Sequence, residues 1–136
     1  MKIIRPAFEE VRAHASDGYP NEVCGILIAA GGNGMVTQTR RVRNTVVERA
    51  RDRYEMDPLD QIRIQRECDE AGLEIVGYYH SHPDHPARAS VTDSEGSWAS
   101  TFYLIVSCVQ GSVVEWSGFL ADRDGAPLQP ESVEVV

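Results

Sequence analysis

The sequence has little cysteine, little positive charge and no long apolar run, and each shortage removes a class of protein. Only Cys24, Cys68 and Cys108 stand in 136 residues, with no CxxC pair among them. An odd, unpaired set fits buried reduced thiols better than a disulfide framework or a cysteine zinc site. Cys24 and Cys108 lie in apolar runs, where a thiol packs rather than reacts. Lys and Arg total 13 against 21 Asp and Glu, for a formal net charge of -8. Binding to a phosphate backbone needs clustered cations that release counterions, so no nucleic acid is expected as a partner. The one basic concentration is Arg40, Arg41, Arg43, Arg49, Arg51 and Arg53, interrupted by Glu48 and Asp52. It reads as a solvated strand and loop, with a surface for an acidic partner as the sharper alternative.

The longest apolar stretch, around Phe102 to Val109, is too short to cross a bilayer. The opening MKIIRPAFEEV has no apolar h-region of a secretory signal and meets Glu9 and Glu10 early. A cytoplasmic protein with no membrane partner is therefore expected. There is no internal repeat or low-complexity tract, and the candidate boundaries are turns rather than linkers. One domain over residues 1–136 is expected. A composition of 42% hydrophobic and 25% charged residues is that of a folded chain.

Pro6 can open a helix at its first turn, and Phe8, Val11 and Ala15 follow at near-helical spacing until Asp17, Gly18 and Pro20. Val23 to Ala30 and Met35 to Val42, split by Gly31, Gly32 and Gly34, read as a hairpin. Asp57 as cap, Pro58 as first helical residue and Gly72 as stop place a helix over 58–71. Its apolar residues form no single stripe: Leu59 and Ile62 lie on one side, Ile64, Cys68 and Ala71 on another. Glu74 to Tyr79 and Phe102 to Val109 have the β-branched and aromatic composition of buried strands, and Val113 to Ala121 reads as another. The order predicts an α/β fold, a mixed sheet with helices packed on it. Trp98, Trp116, Tyr78 and Tyr79 read as core or sheet-face residues.

The chemistry concentrates where the strand starting at Glu74 ends. Residues two apart on a strand face the same side about 6.6 Å apart, so His80 and His82 can converge on one ion. Catalytic zinc takes three protein ligands and keeps one position for water, which leaves room for one more donor. Asp93 is the natural third, because the loop after Pro83 can fold back and Thr92 to Glu95 has capping-box spacing for a new helix. Ser90 with Asp93 has the spacing of a second such box. His85, between Pro83 and Pro86, reads as a solvated loop residue, and Ser81 points away from the histidines on a strand.

These residues together resemble a known family. Glu22 in the context EVCGILIA, then HSHP from His80, then seven residues from His82 to Ser90 and two more to Asp93, is similar to the JAMM or MPN+ metalloproteases. The likeness runs from about Phe8 to Trp116. It implies a three-layer, cytidine deaminase-like fold, a zinc ion held by His80, His82 and Asp93, and Glu22 acting on the bound water as general base. It implies further that Ser90 helps stabilise the oxyanion. Stand-alone members of that family act on the C-terminal diglycine tail of ubiquitin-like sulfur carriers, so a zinc isopeptidase or peptidase with such a carrier as partner is expected. Scaffold subunits that share the fold but lack the metal motif give the alternative of a non-catalytic binding module, against which the unsubstituted motif speaks. Zinc deaminases carry HxE and PCxxC signatures, and neither is present. No segment between Tyr54 and Trp116 is long enough to supply the insertions with which deubiquitinases of the family grip two ubiquitins.

Overall fold

The computed structural model describes residues 1–136. Its first half is β1 (Lys2–Ile3), α1 (Arg5–Gly18), the antiparallel pair β2 (Cys24–Ala29) and β3 (Val36–Val42), and α2 (Pro58–Ala71). Then come β4 (Glu74–Pro83), the short α3 (Val91–Glu95), β5 (Phe102–Val109), β6 (Ser112–Leu120), β7 (Gln129–Glu131) and β8 (Glu134–Val135). All eight strands join one mixed sheet in the order β7-β6-β5-β4-β2-β3-β1-β8. No helix is long and apolar enough to cross a membrane.

Strand alternation divides the core into two faces. Phe8, Val11 and Ala15 of α1 pack on the face that carries Leu27, Tyr79, Leu104 and Val106. The neighbours Cys24, Ile26 and Ile28 point the other way and meet Ile64 and Cys68 of α2. Further along that second face, Tyr103, Ile105 and Phe119 are covered by Ala87 and Leu128. Helices on both faces of the sheet make the three layers.

α2 starts and stops where its cap residues put it. Asp57 accepts the Leu59 N–H at 2.9 Å, and Gly72 adopts φ 68°, a left-handed stop that costs glycine least. Its two apolar sides have opposite fates, because Ile64 is fully buried while Leu59 is 76% exposed. All three cysteines are buried free thiols.

Three expectations need correction, and one stretch without an expectation gains strands. β4 does not end at Tyr79 but continues to Pro83, since β5 pairs alongside it in parallel register through His80–Ile105, His82–Ser107 and Pro83–Cys108. The helix after the loop is capped by Ser90 and Asp93, not by Thr92 and Glu95: the Ser90 hydroxyl accepts from the Asp93 N–H, and the Asp93 carboxylate accepts from the Ser90 N–H. Trp98 is no core residue, being 62% exposed. Residues past Ala121, which carry no strong strand pattern, add β7 to β6 and β8 to β1.

Candidate metal centre

β4 carries the centre of the site. His80 and His82 share a face, with Ser81 between them pointing to the other, and the two Nε2 atoms stand 3.2 Å apart. The Ser90 cap aims Asp93 back at both rings. Its Oδ1 lies 3.1 Å from His80 Nε2 and its Oδ2 lies 3.3 Å from His82 Nε2. Glu22, two residues before the start of β2, approaches the same pair, and one donor atom from each of Glu22, His80 and His82 lies within 4.8 Å of the others. His80 and Glu22 are buried.

The donor set itself calls for a cation. His82 Nδ1 lies 2.9 Å from the Pro86 carbonyl, which can only accept, so Nδ1 holds a proton and Nε2 turns its lone pair towards Asp93. A proton on Nε2 would relieve that one contact. Burial opposes a charged His82, yet the hydrogen bonds it donates to Asp93 and Pro86 prevail and raise its pKa. On His80 the same burial prevails over the hydrogen bond to Asp93 and favours the neutral form. Burial alone would raise Asp93 too, but hydrogen bonds to His80 and His82 hold it well below the ordinary carboxylate range. A neutral imidazole, a second imidazole and an ionised carboxylate meeting at one point are the N and O donors of a divalent metal site.

Residues 5–118 match the family described as prokaryotic homologs of the JAB domain. The chain belongs to that family. A desampylase of Haloferax volcanii is 35% identical over 125 residues, covering 87% of this chain and 88% of the relative. The CysO-cysteine peptidase of Mycobacterium tuberculosis is 33% identical over 96 residues, covering 70% of this chain and 64% of that one. Among solved structures, a JAB1/MPN domain protein of Archaeoglobus fulgidus aligns over 100% of this chain and 99% of its own, with TM-score 0.63 at 18% identity. That last likeness is one of fold.

Within this JAB domain, Glu22 is fixed from both sides. Its N–H donates to the Ala50 carbonyl, and its own carbonyl accepts from Asn44 Nδ2 at 3.2 Å. Ser81 locks the next residue: its hydroxyl accepts from the Val23 N–H at 2.9 Å while its N–H donates to the Val23 carbonyl at 3.0 Å. Burial lifts the Glu22 carboxyl to about 7, with His82 opposing and Asp93 and Asp52 adding to the rise. The Ser90 hydroxyl spends a lone pair on the helix cap and keeps its proton to donate. His85 stays outside the cluster, exposed, with its carbonyl accepting the Ser107 hydroxyl at 2.6 Å.

The segment 43–57 has more to do with the site than a solvated loop. Tyr54 stacks on His80 with ring centroids 4.7 Å apart and planes at 29°. Arg49, Arg51, Arg53 and Arg88 line the cleft that holds Glu22, His82 and Asp93. Arg49 pairs with Asp52 and Arg51 with Asp84, whereas Arg40, Arg41 and Arg43 pair away from it with Glu67, Asp17 and Asp57. Neither Asn44 nor Tyr54 stands out in the sequence as a site residue. The one available signal was a lone aromatic in a charged stretch.

Proposed function

We propose that this JAB domain is a zinc-dependent hydrolase of peptide or isopeptide bonds at the C-terminal tail of a ubiquitin-like carrier protein. The observation that carries the reading is the convergence of His80, His82 and Asp93 with the buried Glu22 beside them. Membership of the family and relatives named as a desampylase and a CysO-cysteine peptidase support the same chemistry. A catalytic domain spanning 1–136 and acting in the cytoplasm accords with it.

In this reading His80, His82 and Asp93 hold the zinc. The ion, when bound, supplies Lewis acidity and lowers the pKa of water towards about 7. Glu22 accepts a proton from the attacking water and returns it to the leaving amine. A carboxyl that burial lifts to about 7 suits both halves of that transfer. The Ser90 hydroxyl, with its proton free, donates to the oxygen that becomes negative in the tetrahedral intermediate. A tail ending in two glycines presents no side chains to the walls of the cleft.

The roles separate in two variants. Glu22→Gln is expected to keep its zinc and lose about 10² to 10⁴ in turnover, the usual contribution of a positioned base. His82→Ala is expected to lose the metal as well, since two protein donors remain. Zinc content by elemental analysis beside cleavage of a carrier adduct makes the comparison. Full turnover by Glu22→Gln removes Glu22 from the mechanism.

A further inference from the structure

Two features of His80 are unaccounted for by its place in the donor set. Its Nδ1 is buried and has no hydrogen-bond partner, unlike His82, whose Nδ1 is held by Pro86. A metal-binding histidine ordinarily has its ring fixed through that second nitrogen. The other feature is Tyr54, whose ring lies over the His80 imidazole. The stacking contact comes from segment 43–57, and the segment is closed at its base by Thr45 N–H to the Glu55 carbonyl at 2.9 Å and Asp57 N–H to the Arg43 carbonyl at 2.9 Å.

Asn44 ties this segment to the base. Its Nδ2 donates to the Glu22 carbonyl and to the Arg53 carbonyl, both at 3.2 Å, while its Oδ1 accepts from the N–H groups of Val46 at 3.0 Å and Glu55 at 3.1 Å. One amide thus connects the backbone of Glu22 to that of Arg53, the residue before Tyr54. The Ala50 carbonyl of the same segment accepts the Glu22 N–H.

We propose that segment 43–57 is the positioning device of the site, with Tyr54 fixing the His80 ring by stacking and Asn44 fixing Glu22 by its backbone. Both are positioning residues, since each acts through another group. The inference rests on the zinc reading above and assigns its two functions to two residues. Tyr54 governs metal affinity, because a ring without an Nδ1 partner is free to rotate once the stack is removed. Asn44 governs turnover at constant metal, because Glu22 is not among the proposed ligands.

Zinc affinity, measured by competition with a chelator of known affinity, and kcat on a carrier adduct are the two readouts, with circular dichroism to check folding. Tyr54→Ala is expected to weaken zinc binding about 10- to 100-fold, the usual effect of losing a group that orients a ligand. Tyr54→Phe keeps the stack and is expected to bind as wild type; Tyr54→Leu fills the space without a ring and is expected to fall with alanine. Asn44→Asp keeps the two accepted bonds but loses both donated ones, and is expected to bind zinc normally with kcat at least 10-fold down. Wild-type zinc affinity in Tyr54→Leu and Tyr54→Ala, or loss in Tyr54→Phe equal to theirs, overturns the role of Tyr54. Unchanged kcat in Asn44→Asp overturns that of Asn44. A wild-type protein that binds no zinc overturns the metal reading and this inference with it.

Discussion

At the scale of single residues, Ser90 combines the capping it is seen to do with the donor role proposed above, and the two can be pulled apart. It caps α3 through its oxygen and keeps a proton to donate in the cleft. Ser90→Ala is expected to retain zinc, lose about 10² in kcat as one oxyanion donor disappears, and lose about 1 kcal/mol of stability with the cap. Ser90→Asp restores a capping oxygen without a donor, so thermal stability should recover while kcat does not. A second residue acts on the α1 face of the sheet. His14 Nδ1 and the Tyr79 hydroxyl share a hydrogen bond of 2.7 Å, and burial, followed by the charge of Arg41, lowers the pKa of His14 to about 4. Below about pH 6.5 the unfolded chain takes up a proton that the folded chain refuses until about pH 4, so this residue's contribution falls as pH falls through that window. His14 is only partly buried, so the loss is about 1–2 kcal/mol after solvent screening. The stability of wild type relative to His14→Leu, followed by urea unfolding from pH 7 to pH 4, should decline. A flat difference removes the assignment.

At the scale of elements, β4 decides whether a site exists. Gly77 sits where β4 meets β5, and a Cβ there would come within 2.2 Å of the Phe102 carbonyl oxygen, a backbone atom that cannot swing away. Gly77→Ala must part the two strands or shift their register, and a one-residue slip turns both histidines to the opposite face. A loss of roughly 1–3 kcal/mol is expected from overpacking, with zinc affinity falling alongside the melting temperature. Wild-type melting would show that the strands have slack there. The same strand shows where sequence reading succeeds and fails. His80 and His82 were legible because a strand's two-residue period is local, and α2 because Asp57, Pro58 and Gly72 act on their own turns. The extension of β4 to Pro83 was not legible, since it depends on pairing with β5, and the same holds for β7 and β8, which form on strands distant in sequence. Segment 43–57 looked solvated because its charges dominate its composition. Its role depends on Asn44 and Tyr54 reaching Glu22 and His80, contacts with no sequence period.

For the molecule as a whole, the sheet places Glu22 before β2, the histidine pair on adjacent β4, and Asp93 on the helix that follows, so three separated stretches meet at one point. The net charge of -8 is not uniform, for Arg49, Arg51, Arg53 and Arg88 line the cleft. The connection from His82 to Ser90 is only seven residues and Gly72 to Glu74 passes directly from α2 to β4, leaving no insertion there to grip a second protein. Under the proposed function, selectivity would then fall on the carrier's tail, because a specific protein pair commonly buries ~1,600 Å² and a bare core offers little beyond the scissile bond. Ubiquitin dimers should accordingly be cut more slowly than carrier adducts at equal concentration. The most direct test of the account follows, by mass spectrometry, a ubiquitin-like carrier joined through its C-terminal glycine to cysteine or to lysine. It is incubated with zinc-loaded protein, with protein stripped by chelator, and with stripped protein resupplied with zinc. The account predicts release of intact carrier ending in glycine with zinc, none after stripping, and recovery on resupply. No release by the zinc-loaded protein, or release undiminished by removing the metal, would contradict it.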